Sequence, residues 1–382
     1  MTSPDNAIGQ QSKQSSNVRR TVRLAAAQAA PVFLDRDATV AKACDLIREA
    51  GRGGADIVGF SEGFIPAHPV WYYHFPALAD EAMDRARRLF HNAVEVPSQS
   101  TDELCSAAAE AQIDVVIGIC QRNPGTAGTM WNSQLFINRE GKIVGVHQKL
   151  VPTIGERLVH APGSGRGMRA FEMGVGNVGA LICGENSNPL AISKLLLDQT
   201  RVHVASWPNY FVPEWASNMS ETSIIAGQAI AYMLKCFVIN VCGTISPGDA
   251  EAMAMTEKHR AYLADPSNLG GSNIIGPTGE ILAGPCGPGD EIIYANADFE
   301  DIVTSKFVHD FAGHYQRFDV FEFQTHGSDP HLRDLDWSEA HDGEETPARP
   351  LTAERPDTTD SEMLLEHHSP LDVARPTGTN PV

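Results

Sequence analysis

Short apolar runs alternate with helical patterns from residue 22 to residue 297, and this alternation restricts the fold more than any other feature. Strands separated by a helix are typical of parallel crossover units, whereas strands joined by a tight turn are typical of antiparallel hairpins. Both arrangements occur here, because tight turns at residues 140–141 and 277–279 each separate two strand-like runs. The pattern therefore predicts an α/β fold with mixed sheets.

The element predictions follow from periodicity and from turn residues. Strands are predicted over residues 22–30, 55–60, 113–120, 133–138, 143–147, 178–182, 201–206, 237–241 and 290–297. Helices are predicted after Asp37, over residues 100–112, from Pro189 to about residue 198, and over residues 219–235. Asp37 is the predicted cap of the first helix. The polar stretch 244–272 is predicted to be a long loop.

The two ends of the chain differ in composition from the middle. Residues 1–20 are polar, and residues 327–382 are rich in Pro and Thr, with thirteen acidic side chains against four arginines. Such segments bury too little apolar surface to offset chain entropy, so both are predicted to be disordered. The folded domain is therefore predicted over residues 21–326. The total charge of −19 argues against nucleic-acid and anionic-membrane partners.

Cysteine usage and hydropathy indicate the compartment. The seven cysteines are odd in number and include no C-x-x-C pair, so neither a disulfide framework nor a zinc ribbon is indicated. No apolar run reaches the roughly 18 residues that span a bilayer. The first twenty residues lack the apolar core of a signal peptide. We therefore expect a cytoplasmic protein.

Three polar side chains stand where an apolar run ends: Glu62, Lys149 and Cys183. Ligand sites in layered α/β folds gather at strand ends, where loops shape a pocket over a rigid sheet. A carboxylate can take the thiol proton, and an ammonium can favour the thiolate and stabilise negative charge on the attacked group. The set suits acyl transfer. Charged residues also end ordinary structural strands, so spacing alone leaves that interpretation open.

Several sequence motifs, in order, resemble those of the nitrilase, or carbon–nitrogen hydrolase, superfamily over residues 22–326. The matching stretches are residues 23–32 (RLAAAQAAPV), 61–66 (SEGFIP), 148–153 (QKLVPT) followed by Glu156-Arg157, 181–186 (LICGEN), and 313–315 (GHY) with Arg317 and Asp319. The Pro-Thr-x-x-Glu-Arg segment and the Gly-His-Tyr motif are most similar to true nitrilases. The resemblance implies a four-layer-forming αββα sandwich that assembles as a homodimer or as a larger helical, spiral homo-oligomer.

The resemblance also implies roles for individual residues. Cys183 is the implied nucleophile, Glu62 the general base, and Lys149 the group that stabilises charged intermediates. Glu156 is similar to a second glutamate held near the lysine, although an ordinary surface salt bridge is the alternative interpretation. The implied reaction is hydrolysis of a small-molecule nitrile to the acid and ammonia through a thioimidate and a thioester. No step requires a metal ion or an organic cofactor.

Three further residues are predicted to shape the pocket. The Gly184 backbone N–H follows a strand-end nucleophile and is a plausible donor to developing negative charge. Many nitrilases carry Trp at this position, so glycine leaves more room beside the thiol. Trp71 and Trp207 lie in aromatic segments after a motif or a strand, where pocket lining and core packing are equally compatible with the sequence.

Other functions remain open at this stage. An amidase or a cyanide-hydrolysing enzyme would carry the same Glu62, Lys149 and Cys183. A non-catalytic, self-assembling scaffold is an alternative of a different class, and the intact set of three residues argues against it. An acidic cation-binding protein is a further alternative. Because the tail has a net charge of −9, about half of the total of −19, deletion of residues 327–382 should abolish such binding and spare any enzymatic activity.

Overall fold

The computed structural model of the chain describes residues 21–208, 219–253 and 256–326. The predictions for residues 1–20 and 327–382 lie outside these ranges. Within them, no helix is both long enough and apolar enough to cross a membrane.

Strands and helices alternate along the described chain, as the periodicity predicts. The strands are β1 (Thr21–Gln28), β2 (Ile57–Phe60), β3 (Asp114–Arg122), β4 (Met130–Ile137), β5 (Ile143–Gln148), β6 (Phe171–Met173), β7 (Gly176–Ile182), β8 (Val202–Trp207), β9 (Phe237–Cys242), β10 (Asn273–Ile275), β11 (Ile281–Ala283) and β12 (Glu291–Asp298). The helices are α1 (Arg36–Arg52), α2 (Asp80–Asn92), α3 (Gln99–Ala111), α4 (Pro189–Leu197), α5 (Met219–Leu234), α6 (Pro247–Met253), α7 (Glu257–Ala264) and α8 (Phe299–Val308).

The described strands form two six-stranded mixed sheets, which confirms the predicted mixed α/β class. The first sheet has the order β12-β1-β2-β3-β4-β5, and the second has the order β11-β10-β9-β8-β7-β6. In the first sheet β1, β2 and β3 are parallel neighbours, and β4 and β5 extend it as an antiparallel hairpin. In the second sheet β7, β8 and β9 are parallel neighbours, with antiparallel strands outside them. Both predicted hairpins, β4–β5 and β10–β11, are confirmed.

Alternate residues of the strands face different layers of the molecule. Ala25 and Ala27 of β1 pack in one buried cluster with side chains of α1 and α3. Leu24 and Ala26 point the other way and pack with side chains of β8 and β9 from the second sheet. The outer face of the second sheet packs against α4 and α5 in a third cluster. Helices therefore cover the outer face of each sheet, and the fold is the predicted αββα sandwich.

Some local predictions were wrong. The cap of α1 is Asp35, whose Oδ1 accepts the Ala38 N–H at 2.9 Å, and Asp37 lies in the first helical turn. Two acidic residues compete for the cap, and the extended backbone at Asp35 decides between them. The stretch 244–272 is not one long loop, because α6, α7 and a 3₁₀ turn at Pro266–Asn268 lie within it. These helices are too short and too polar to produce a periodic pattern. Helices α2 and α8 and strand β6 were not predicted.

Glu62, Lys149 and Cys183 follow the carboxyl ends of three strands, β2, β5 and β7. Strand β5 runs in the same direction as β2, because two antiparallel pairings separate it from β3, which is parallel to β2. The carboxyl ends of β2 and β5 therefore lie at the same edge of the first sheet. Strand β7, at whose end Cys183 follows, belongs to the second sheet.

Candidate active site

Glu62 projects from a short excursion of the chain after β2. The backbone pairs again with β3 at Ile65, whose N–H donates to the Gly118 carbonyl at 3.1 Å and whose carbonyl accepts the Cys120 N–H at 2.7 Å. Gly118 permits this excursion, because a Cβ there would lie 2.2 Å from the Ser61 carbonyl oxygen. The Glu62 side chain is buried, and the chain before and after it pairs with β3.

Lys149 lies between two buried carboxylates. Its backbone N–H donates to the Asn132 carbonyl at 2.8 Å, which continues the β4–β5 pairing past the end of β5. Its Nζ donates to Glu62 Oε1 at 2.8 Å and to Glu156 Oε2 at 2.7 Å. The structure therefore brings together three side chains that the sequence placed in two separate motifs, at residues 61–66 and 148–157.

Asn132 of β4 completes this cluster and was not predicted. Its Nδ2 donates to Glu62 Oε1 and to Glu156 Oε1, both at 2.7 Å. One side-chain amide thus bridges the two carboxylates that also share Lys149. A buried amide has to find hydrogen-bond partners, so the position of Asn132 directly before the predicted strand 133–138 was the available signal.

Glu156 is buried, with an exposed fraction of 1 %, and is not the surface residue of the alternative interpretation. It lies in a 3₁₀ turn over Ile154–Leu158. The Thr153 N–H donates to Oε2 at 2.9 Å, and His160 Nδ1 lies 3.1 Å from Oε1. Together with Lys149 and Asn132, these groups place four partners around one carboxylate, so its orientation is fixed.

The charges in the cluster stabilise one another. Burial alone would lower the pKa of Lys149, but the Glu62 and Glu156 carboxylates outweigh burial and hold that pKa well above its ordinary value. Burial would raise the pKa of Glu156, but Lys149 and His160 hold it well below its ordinary value. Lys149 and Glu156 therefore stay ionised across the neutral range. Burial also lowers the pKa of the neighbouring His68, which disfavours a second positive charge beside Glu62.

Cys183 follows β7 in a strained backbone conformation. Its φ is 51°, in the left-handed region that costs non-glycine residues about 1–3 kcal/mol. The residue is 8 % exposed, and burial raises the pKa of its thiol; the Glu62 charge raises that pKa further, and the Lys149 charge lowers it. The thiol is therefore protonated at neutral pH and needs a base in order to attack.

The three predicted pocket residues have different surroundings. Gly184 is exposed, and a Cβ added to it would meet no atom within 4 Å. Trp207 is buried in the same cluster as Cys183, and its Nε1 donates to Asn240 Oδ1 at 2.6 Å. Trp71 is buried in a different cluster, edge-on to the Phe33 ring at 6.3 Å. The structure therefore brings Trp207 to the thiol's own cluster and packs Trp71 in another.

Tyr73 belongs to the aromatic segment after Glu62, for which pocket lining and core packing were equally compatible with the sequence, and it is a neighbour of the site. It packs against the cluster that contains Cys183 and Trp207, and its hydroxyl donates to the Thr153 carbonyl at 3.2 Å. Burial raises the pKa of its phenol, and the Glu156 charge raises it further. The aromatic segment that follows Glu62 thus reaches the site through Tyr73. Among the residues that the structure describes, no group of three or more His, Cys, Asp or Glu side chains could hold a metal ion.

A family model described as carbon-nitrogen hydrolase matches residues 23–307. The chain belongs to the carbon-nitrogen hydrolase family. This membership confirms a hydrolase that acts on carbon–nitrogen bonds.

Relatives and solved structures agree with the family. A protein named Nitrilase 2, from an unknown prokaryotic organism, is 37 % identical over 308 residues, which cover 81 % of this chain and 93 % of the relative. A nitrilase of Pseudomonas syringae pv. syringae (strain B728a) is 33 % identical over 306 residues, with coverages of 79 % and 89 %. These relatives confirm the resemblance to the nitrilase branch. The carbon-nitrogen hydrolase structure from Helicobacter pylori G27 is 18 % identical with a TM-score of 0.59, covers 79 % of this chain and 97 % of its own, and supports the fold.

Proposed function

We propose that this protein is a nitrilase that converts an organic nitrile to the carboxylic acid and ammonia through a covalent intermediate on Cys183. The observation that carries the proposal is the buried contact of Lys149 Nζ with both Glu62 and Glu156, in a site whose charges act on the Cys183 thiol. The names of the relatives support a nitrile as the substrate. The roles given below to individual residues are part of the proposal.

The first step is attack by sulfur on the nitrile carbon. Glu62 Oε1 is occupied by Lys149 and Asn132, whereas Oε2 is buried and has no hydrogen-bond partner among the described residues. We assign Oε2 to take the thiol proton of Cys183. The new carbon–sulfur bond pushes negative charge onto nitrogen, which takes the proton back from Glu62 to give a thioimidate. The Lys149 charge stabilises the anionic transition state.

The next steps consume two water molecules. Glu62 takes a proton from the first water as the water adds to the thioimidate carbon, and passes it to nitrogen. It then transfers the proton of the new hydroxyl group to the same nitrogen, so that ammonia leaves and a thioester remains. A second water, activated by the same carboxylate, breaks the carbon–sulfur bond to release the acid and the thiol. Glu156, fixed by four partners, positions the lysine and the substrate. The Gly184 N–H is assigned as a donor to the tetrahedral intermediates.

The proposal is tested by ammonia release from aliphatic, arylaliphatic and dinitrile substrates, from their matching amides and from cyanide. Wild-type protein should release ammonia from at least one nitrile, and Cys183→Ala should release none while it keeps its circular dichroism spectrum. Glu62→Gln should lose most of the activity, and a wild-type rate in that variant would remove Glu62 from the role of base. Release from amides alone would identify an amidase, and release from cyanide alone a cyanide-hydrolysing enzyme. No release from any compound would favour the scaffold alternative.

We further propose that the folded domain over residues 21–326 works in the cytoplasm as a homodimer or as a larger helical homo-oligomer. Exposed apolar side chains support self-association, since Ile225 of α5 is 68 % exposed and Phe307 of α8 is 85 % exposed. All seven cysteines are free, which supports a reducing compartment. Light scattering after size-exclusion chromatography should give a mass of at least two chains. A monomer at the concentrations used in the activity assay would contradict the assembly.

A further inference from the structure

The lysine and the nucleophile of the site come from different sheets. Lys149 follows β5 of the first sheet, and Cys183 follows β7 of the second. Among the described strands no backbone ladder joins the two sheets, so side-chain contacts between them help to set the distance between Nζ and the sulfur. A misplacement of about 1 Å can cost an enzyme about 100-fold in rate. The contacts that join the ends of β5 and β7 therefore matter for the reaction.

Glu185 makes such a contact. Its Oε1 accepts the Leu150 N–H at 2.7 Å, next to Lys149 in the chain. Its Oε2 accepts the Ile182 N–H at 3.1 Å, immediately before Cys183. One buried carboxylate thus ties the backbone beside the lysine to the backbone beside the nucleophile.

His147, on β5 of the first sheet, makes the third contact with Glu185. It lies on β5, two residues before Lys149, and its Nε2 lies 2.9 Å from Glu185 Oε2. Burial alone would raise the pKa of Glu185, but His147 and the two backbone N–H groups lower it below its ordinary value. The carboxylate is therefore ionised at neutral pH, and its hydrogen bonds to the backbone are charge-assisted, which makes them about twice as strong as neutral ones.

The next residue, Asn186, is buried on the same turn but makes different contacts. Its Nδ2 donates to the carbonyls of Leu181 and Cys183, both at 3.1 Å, and its Oδ1 accepts from His203 Nε2 at 2.9 Å. All of these groups belong to the second sheet or to the turn that follows β7. Asn186 therefore stabilises the nucleophile turn without reaching β5, and it provides a matched control for Glu185.

We propose that Glu185 is a positioning residue that holds Lys149 in register with Cys183 across the two sheets, with His147 as its partner on β5. This role is additional to those of Glu62, Lys149, Glu156 and Cys183, and its effect on turnover rests on the proposed function. Glu185 acts through the backbone on both sides of the gap between the sheets. It has no part in proton transfer.

The test measures the effect of Lys149 on the pKa of the Cys183 thiol, with Glu185 present and with Glu185 replaced. The thiol pKa is read from the pH dependence of Cys183 alkylation by iodoacetamide, which requires no nitrile. Lys149→Met should raise that pKa in the wild-type background. In Glu185→Gln, the NH₂ of the new amide can no longer accept from one of the two backbone N–H groups, those of Leu150 and Ile182, that the carboxylate binds. In this background, Lys149→Met should shift the thiol pKa by less than half as much. In an Asn186→Leu background the Lys149→Met shift should keep its full size.

Turnover supplies the second readout. Glu185→Gln should lower kcat about 100-fold and leave KM within about threefold, because the reacting groups are displaced while the pocket is not. If Glu185→Gln does not fold, His147→Leu and His147→Gln replace it, and only the glutamine, which still offers a donor, should keep most of kcat. A Lys149→Met shift that is unchanged in Glu185→Gln, or a kcat within threefold of wild type, would overturn the positioning role. If no nitrile is hydrolysed but the pKa coupling is lost as described, the positioning role stands and the proposed function fails.

Discussion

Removal of the Asn132 amide perturbs both carboxylates of the site at once. Asn132→Leu keeps a side chain of similar size but deletes the Nδ2 that donates to Glu62 Oε1 and Glu156 Oε1 at 2.7 Å. Lys149 still contacts both carboxylates, and the Thr153 N–H still donates to Glu156. The charges therefore remain compensated, and we expect the variant to fold.

The magnitude follows from the two lost bonds. A hydrogen bond to a charged group contributes about 1.5–3 kcal/mol to stability. Because each carboxylate keeps other donors, we take the lower value for both bonds and expect the free energy of unfolding to fall by about 3 kcal/mol. The bond to Glu62 alone orients the proposed base, and a loss of about 1.5–3 kcal/mol in the transition state lowers kcat about 10- to 100-fold.

The assay compares Asn132→Leu with Gln134→Leu. Gln134 lies two residues farther along β4, so the two side chains share a face of the strand, and both are fully buried. The Gln134 Nε2 donates at 3.0 Å to the hydroxyl of Ser206, a neutral partner for which about 1 kcal/mol is expected. Urea unfolding gives the free energies, and ammonia release from a nitrile gives kcat.

The comparison separates a role in the site from ordinary burial. Asn132→Leu should lose more stability than Gln134→Leu and should lose at least tenfold more kcat. Equal losses in the two variants would refute the reasoning, because they would show that the bridge between the carboxylates contributes no more than any buried amide of β4.

Four other substitutions test the electrostatics of the site, its shape and the burial of a neighbouring histidine. Glu62→Gln should lower the pKa of the Cys183 thiol and Lys149→Met should raise it, as measured by the pH dependence of alkylation; shifts in the same direction would contradict the charges assigned to the cluster. Gly184→Trp should fold normally and accept fewer nitriles in a substrate panel, because the added side chain extends into open space; an unchanged profile would place this position outside the pocket. Burial lowers the pKa of His203 from 6.5 to about 3, so between these pH values the unfolded chain binds a proton there that the folded chain does not. The free energy of unfolding therefore decreases by up to about 1.4 kcal/mol per pH unit as the pH falls from 6.5 toward 3. His203→Gln should reduce the difference between the urea-unfolding free energies at pH 6.5 and 4.5, and an equal difference would mean that the imidazole is accessible to protons.

Periodicity and turn chemistry predict most of the fold, because the signals are local. The continuous apolar run of β1 from Leu24 to Ala27 indicates a strand with two buried faces, and the turns at residues 140–141 and 277–279 identify the hairpins. The cap of α1 was misplaced by two residues, since Asp35 and Asp37 are both suitable and the choice depends on the backbone before the helix. Helices α6 and α7 were not predicted, because a helix of about two turns shows too little periodicity in its apolar residues.

Only some members of the candidate site have a local signal in the sequence. Glu62, Lys149 and Cys183 each follow an apolar run, and their roles are those that the motifs imply. Asn132 lies 70 residues from Glu62 in the chain, and Glu185 lies 38 residues from His147. Polar residues inside or beside a strand do not reveal which distant group they contact. The Asn132–Glu62 contact depends on the strand order of the first sheet, and the Glu185–His147 contact depends on how the two sheets pack.

The proposed role of Cys183 is tested most directly by the mass of the peptide that contains it. The protein is mixed rapidly with a nitrile labelled with ¹⁵N, and the reaction is quenched with acid. We predict an early adduct on Cys183 that contains the label, the thioimidate, followed by an unlabelled acyl adduct, the thioester, whose formation matches ammonia release. Cys183→Ala should show neither adduct. Ammonia release without any adduct on Cys183, or with an adduct on another residue, would show that this thiol is not the nucleophile.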